Sequence, residues 1–314
     1  MIGARALQYP SARTVRRRRF ALWGGPPGSP RRASPSRYER STEGMLVYAI
    51  GDIHGRADLL ANLLARIDED SAGSDAPRRL VLLGDYVDRG PGSREVIELL
   101  VQLKSRGDEV VHLLGNHDAT LLDFLMDPQV GPTWCAHGGL QTLMSYGVQP
   151  PAVGADYAAW VHARSMFLKA LPQSHKEFFT SAQLQWQIGS YFFSHAGVRP
   201  QTTLAEQSRR DLLWIRKDFI DDTRPLEKII VHGHTPAMAV HVDDRRIGVD
   251  TGAYATGVLA AVRLLDAEIR IIIAQQRDKT AAARQPNPSV NHTPQLSTVD
   301  ARRGWTVDIA ARRS

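Results

Sequence analysis

Leu46-Val47-Tyr48-Ala49-Ile50 runs straight into Gly51-Asp52-Ile53-His54-Gly55, an apolar pentapeptide followed by a polar turn, and the same junction recurs twice downstream. Leu80 to Leu83 leads into Gly84-Asp85-Tyr86-Val87-Asp88-Arg89-Gly90, and Val110 to Leu114 leads into Gly115-Asn116-His117-Asp118. Short apolar runs bounded by turn residues predict strands buried on both faces. Between the first two runs, Leu59, Leu60, Leu63, Leu64 and Ile67 recur at three- and four-residue spacing, and Val96, Ile97, Leu99, Leu100 and Leu103 do so between the next two. Each set is the stripe of an amphipathic helix. The order strand, helix, strand, helix, strand implies parallel strands joined by right-handed crossovers. All three polar turns then fall at the carboxyl ends of neighbouring strands, where open α/β sheets hold their ligands.

From Asp127 to Ala182 the pattern is helical and broken by Pro128, Pro132, Pro150, Pro151 and Pro172, which predicts an inserted helical cap over 127–182. Gln183 to Ile188 and Tyr191 to Ser194, parted by Gly189-Ser190, predict a hairpin feeding a second sheet. Lys228 to Val231, Arg246 to Val249, Val258 to Leu264 and Ile269 to Ile273 supply further strands.

The chain has 314 residues, 43% of them hydrophobic, enough for a sizeable core. Its net charge of +6 resides at the ends: residues 1–44 carry +8 and residues 276–314 carry +4, which leaves −6 on the body. The basicity therefore says little about what the folded part binds, and no specific nucleic-acid partner is expected. Both ends lack apolar periodicity and cannot offset the entropy of ordering. Residues 1–44 and 276–314 are thus expected to be disordered tails around one domain spanning 45–275. Met45, just ahead of the first strand, is the expected natural start, which N-terminal sequencing of the natively expressed protein checks. Arg17-Arg18-Arg19-Phe20 lacks the apolar segment that an export signal needs, because Pro26, Pro27 and Pro30 interrupt it. The single cysteine, Cys135, excludes an intramolecular disulfide and a thiolate zinc cluster and fits the cytosol. No apolar run approaches the roughly 20 residues of a membrane-spanning helix. A soluble, cytoplasmic protein without a membrane partner is expected.

Oxygen and nitrogen donors without sulfur suit manganese, iron or zinc in a hydrolytic role. Asp52 and His54 lie two apart on an extended segment, so both side chains reach the same side. Asp85 stands at the next strand end, placed to bridge two ions, and Asn116 suits a neutral oxygen ligand where carboxylates already balance the charge. Ser194-His195-Ala196-Gly197 and Gly233-His234-Thr235-Pro236 each put a histidine just after an apolar strand, as candidates to complete a second ion. The remaining histidines are weaker candidates. His137 has no strand before it, His232 fits a strand end, His112 alternates inside a strand, and His162, His175 and His241 have no supporting context.

In this order the five motifs resemble the signature of the phosphoprotein phosphatases within the calcineurin-like metallophosphoesterase superfamily. Asp118, and Trp134 followed by Gly138-Gly139-Leu140-Gln141-Thr142-Leu143 and Ser145-Tyr146-Gly147, resemble the bacterial and phage branch. The resemblance covers residues 45–273 and implies an α/β fold of two mixed β-sheets packed as a sandwich flanked by helices, with the helical cap inserted. It also implies two divalent metal ions, manganese foremost, with iron or zinc as alternatives. Asp52, His54 and Asp85 would hold the first ion, and Asp85, Asn116, His195 and His234 the second. By the same resemblance, two such ions would supply the hydroxide for in-line attack in place of a side-chain nucleophile. His117 is the expected general acid for the alkoxide leaving group, oriented and kept protonated by Asp88. Arg89 offers a planar fork to the phosphate, and Arg216, in Leu213-Trp214-Ile215-Arg216, is the expected second arginine by similarity. The activity so implied is a protein serine/threonine phosphatase acting on a phosphorylated protein or peptide, with phosphotyrosine as a further substrate. The same motifs resemble symmetrical diadenosine tetraphosphate hydrolases, which cleave a nucleotide pyrophosphate, and the joint presence of His54 and Asp88 favours the phosphatase. A non-catalytic binder that uses its basic tails on nucleic acid would leave the intact site unexplained.

Overall fold

Side chains alternate between the two faces of a strand, and in β1 (Leu46–Ile50) both faces are buried. Leu46, Tyr48 and Ile50 pack with α1 (Ala57–Ser71), whereas Val47 and Ala49 pack toward a second sheet. The computed structural model describes residues 39–105 and 107–276. After α1 come β2 (Arg78–Leu82), α2 (Ser93–Ser105) and β3 (Val110–His112), in the predicted order. β1, β2 and β3 are parallel, with Leu46 opposite Arg78 and Leu80 opposite Val110. α3 (Asn116–Met126) follows β3, and the helical insert then comprises α4 (Gly131–Trp134), a π-helical turn (Cys135–Gly139), α5 (Leu140–Ser145), α6 (Tyr157–Ala170) and α7 (Gln173–Thr180). The hairpin β4 (Gln185–Ile188) and β5 (Tyr191–Ser194) follows, then α8 (Arg209–Trp214), α9 (Lys217–Ile220), β6 (Ile229–His232), β7 (His241–Val242) and β8 (Arg246–Gly248). The short helix α10 (Ala253–Thr256) precedes β9 (Val258–Leu265) and β10 (Glu268–Gln275).

One sheet has the order β10-β9-β1-β2-β3 and the other β4-β5-β6-β8-β7. Each mixes parallel and antiparallel pairs, since β9 runs against β1 and both β4 and β7 run against their neighbours. Val47, Val81 and Val111 from the first sheet meet Phe193, Val231 and Ile247 from the second in a shared core. That core makes the pair a sandwich, and each fully buried large apolar side chain in it contributes roughly 1.5–3 kcal/mol relative to exposure. Helices cover the outer faces: α1, α2 and the insert over the first sheet, and α8 and α9 against Phe192 and Ile230 of the second.

Against the insert, Phe124 of α3 lies 4.9 Å from the ring of Trp134 and 6.3 Å from that of Phe167. α6 supplies Trp160 and Phe167 to this cluster, and its first turn is fixed by Asp156, which accepts the Ala159 amide at 2.9 Å. Asp156→Ala should therefore cost about 1 kcal/mol, as loss of a helix N-cap does, lowering the chemical denaturation midpoint while hydrolysis survives.

The domain boundary differs from the one expected. Residues 39–44 are not part of a loose tail: the Ser41 amide donates to Ser190 Oγ at 2.7 Å, the Thr42 amide donates to Asp266 Oδ1 at 2.8 Å, and Thr42 is fully buried. Polar groups, rather than apolar periodicity, pin this segment across the β4–β5 and β9–β10 turns. The expectation of disordered tails otherwise concerns residues 1–38 and 277–314, which lie outside the described residues. Among those described, no helix is long and apolar enough to cross a membrane.

Candidate metal centre

Five residues of the predicted motifs adopt positive φ: His54 (45°), Asp85 (54°), Asp88 (71°), Arg89 (68°) and His234 (63°). L-residues avoid this region because Cβ crowds the carbonyl, at a cost of order 1–3 kcal/mol each. A dense set of hydrogen bonds holds the turns in place. The Ile53 and His54 amides both donate to Asp85 O, at 3.1 and 2.9 Å. Asp118 accepts the amides of Asp85 (2.7 Å), Gly115 (2.9 Å) and Tyr86 (3.1 Å), stitching the second motif to the third. Gly84 is obligatory, with φ of +99° and no room for a Cβ, which would lie 2.6 Å from the Gly115 nitrogen.

Asp85 faces two ways. Its Oδ2 lies 3.4 Å from His54 Nε2 and its Oδ1 3.4 Å from His195 Nε2. Ligand atoms within 4.8 Å of one another form two buried groups, His54–Asp85–His117 and Asp85–His195–His234, which share this carboxylate. His54 Nδ1 donates to Val87 O and His195 Nδ1 to Leu83 O, each at 2.8 Å. With the proton fixed on Nδ1, each ring turns its Nε2 lone pair into the site. His195 Nε2 also faces Asn116 Oδ1 at 2.9 Å, and His234 Nε2 is buried without a hydrogen-bond partner. Burial pushes the imidazole of His54 down to about 3 and that of His234 to about 2, and lowers that of His195 as well, so all three are neutral donors. Lone pairs converging in a buried space, one of them orphaned, fit divalent cations and little else.

Asp52 is buried beside these groups but outside both of them. Its two oxygens accept the His234 amide, each at 3.1 Å, and burial together with the charges of Asp250 and Asp85 raises its pKa well above the ordinary range. By spacing alone His117, rather than Asp52, is the third member of the first group. Asp250 was not among the sequence candidates. It is buried, accepts the Gly252 amide at 2.8 Å, and burial raises its carboxyl to about 6. Its signal was the junction already met three times, an apolar run followed by a polar turn at Asp250-Thr251-Gly252.

His117 Nδ1 donates to Asp88 Oδ2 at 2.7 Å. The same oxygen accepts Trp134 Nε1 at 2.9 Å, and Oδ1 accepts the Thr142 hydroxyl at 2.6 Å. Burial alone would lower the His117 pKa, but the carboxylates of Asp85 and Asp88 outweigh it and hold the imidazole above the ordinary histidine value. Arg89 donates to His54 Nε2 at 3.0 Å and to His117 Nε2 at 2.8 Å, with its guanidinium 4.8 Å from the ring of Tyr254. Its backbone amide donates to Gly138 O of the π-helical turn at 3.1 Å. Arg216 lies between α8 and α9, exposed, and lines a cleft of about 360 Å³ together with Arg89, Asn116, His117, His137 and Trp214. His137 lines the cleft but joins neither donor group, and His232 and His112 also stand outside them. His112 is structural, with Nε2 donating to Phe178 O at 2.9 Å.

A sequence profile described as Calcineurin-like phosphoesterase matches residues 45–270. The chain belongs to that family. The bis(5'-nucleosyl)-tetraphosphatase PrpE [asymmetrical] of Geobacillus sp. (strain WCH70) is 27% identical to this phosphoesterase over 244 residues, covering 71% of this chain and 92% of the relative. The symmetrical bis(5'-nucleosyl)-tetraphosphatase of Vibrio campbellii is 26% identical over 271 residues, covering 72% and 97%. The crystal structure of a candidate diadenosine tetraphosphatase aligns with a TM-score of 0.51 at 20% identity, over 76% of this phosphoesterase and 100% of that chain, a likeness of fold.

Proposed function

We propose that this phosphoesterase hydrolyses the phosphoanhydride of a dinucleoside tetraphosphate, in place of the protein serine/threonine phosphatase that the motifs alone suggested. The observation that carries the reading is that relatives aligned over nearly their whole length are bis(5'-nucleosyl)-tetraphosphatases. Asp52, His54 and Asp85 would hold one ion, and Asp85, Asn116, His195 and His234 the other. When bound, two such ions supply an acidified water and a clamp on the phosphoryl oxygens. The chain does the rest. Arg89 presents its fork to the phosphate, and in leaving the two histidines it frees Nε2 of His54 for a cation and Nε2 of His117 for a proton. Asp88, through Nδ1, then stabilises the imidazolium that donates to the departing oxygen. Arg216, which lines the same cleft as Arg89, is the second cation offered to the phosphate chain.

The second reading, a serine/threonine phosphatase acting on a phosphorylated protein or peptide, has one observation in its favour. The His117–Asp88 pair is buttressed by both Trp134 and Thr142. A serine alkoxide needs such an acid more than a nucleoside diphosphate does, because the latter leaves as a weakly basic anion. The protein, stripped by chelator and reloaded with manganese, zinc or iron, should turn over diadenosine tetraphosphate with a higher kcat/KM than any member of a phosphopeptide panel. Exclusive turnover of phosphopeptides would overturn the proposal.

A further inference from the structure

We infer that the cleft beside His117 and His234 seats one nucleotide half of the substrate, with the indole of Trp214 as the platform for its base; this rests on the dinucleoside reading above. Trp214 is 50% exposed although it lines the cleft beside the metal-binding residues, its ring 6.4 Å from that of His234 and nearly perpendicular to it. An indole left in water at a cleft wall is an unfilled stacking surface. It is also rigidly placed. Ser208 caps α8 by accepting the Asp211 amide at 3.1 Å, and Leu212, Leu213 and Ile215 on either side of Trp214 are buried.

The charge of the cleft selects the occupant. None of its nine lining residues is acidic, and Arg89 and Arg216 carry guanidinium cations, which suits a polyanion. Its volume of about 360 Å³ lies near the lower end of ligand sites, which run from about 300 to 1,000 Å³, and so suits one nucleotide rather than two. A base lying on Trp214 would send its phosphates past Arg216 toward His117. A phosphate ester without a base gains nothing from the indole.

Stacking a base on an aromatic ring is worth on the order of tenfold or more in affinity. Titration calorimetry of the manganese-loaded full chain should show ADP binding at least about tenfold more tightly than inorganic pyrophosphate. Trp214→Ala should abolish that advantage and Trp214→Phe, which keeps an aromatic face, should retain most of it. In parallel, Trp214→Ala should lower the ratio of kcat/KM for diadenosine tetraphosphate to that for glycerol phosphate, an ester without an aromatic ring, by about tenfold. Equal binding of ADP and pyrophosphate by the wild type, or an ADP advantage that survives Trp214→Ala, would overturn the platform even if the dinucleotide is hydrolysed. If instead the ADP advantage tracks Trp214 while the dinucleotide is not hydrolysed, the platform stands and the proposed reaction falls. A loss of phosphopeptide turnover in Trp214→Ala as large as the loss of ADP binding would reassign the indole to peptide and sink the inference.

Discussion

His117→Asn should slow turnover by roughly 10²–10⁴-fold while metal content stays near that of the wild type, because removing a positioned general acid costs that much. Asparagine keeps a polar group of similar reach, so the Asp88–Trp134–Thr142 network retains a partner and the fold is spared. The size of the loss reports on the leaving group. It should lie toward the upper end for an aryl-free phosphate ester such as a phosphoserine peptide, and toward the lower end for diadenosine tetraphosphate. Metal analysis after dialysis decides the remaining question, since His117 stands within ligand distance of His54 and Asp85. A variant that loses an ion would show that His117 binds metal and is not the acid.

Asp85→Asn should remove more. The carboxylate turns one oxygen to each donor group. Replacing it by a neutral amide of the same shape deprives both groups of their shared charge at once. The variant should bind fewer than two ions and lose more activity than the about 10–100-fold that an outer hydrogen-bond partner is worth at a metal site. His234→Ala, by contrast, should cost only one ion, since His234 belongs to a single group. Elemental analysis of both variants alongside the wild type makes the comparison, and two ions retained by Asp85→Asn would refute the bridging role.

What the sequence made legible was what repeats locally. The strands β1 to β3 could be read because four or five apolar residues end at a glycine, and α1 because its leucines keep a helical stripe. The same logic undershot α1 beyond Ile67, where Asp68 to Ser71 carry no apolar signal, and it started α2 at Val96 although the helix begins at Ser93. Ser93 is there for the site, its hydroxyl accepting the Asp88 amide at 3.2 Å. β7 has two residues, too few for any periodicity. Residues 39–44 are tied by hydrogen bonds to Ser190 and Asp266, more than 140 positions away, and the Asp88 contacts with Trp134 and Thr142 span 46 and 54 positions. Such pairings exist only once the chain is folded. Composition could say that the insert was helical but not that its π-helical turn would close over Arg89.

The left-handed turns of the site carry a meaning of their own. A chain selected only for folding would put glycine or asparagine at positions 54, 85, 88, 89 and 234, where φ is positive, and would be the more heat-resistant for it. Instead those positions hold two histidines, two aspartates and an arginine, of which aspartate and histidine tolerate this region better than most L-residues but less well than glycine. Five of the eight non-glycine residues with positive φ among the described residues gather at this one site, and so dense a cluster records a demand that competes with stability and overrides it.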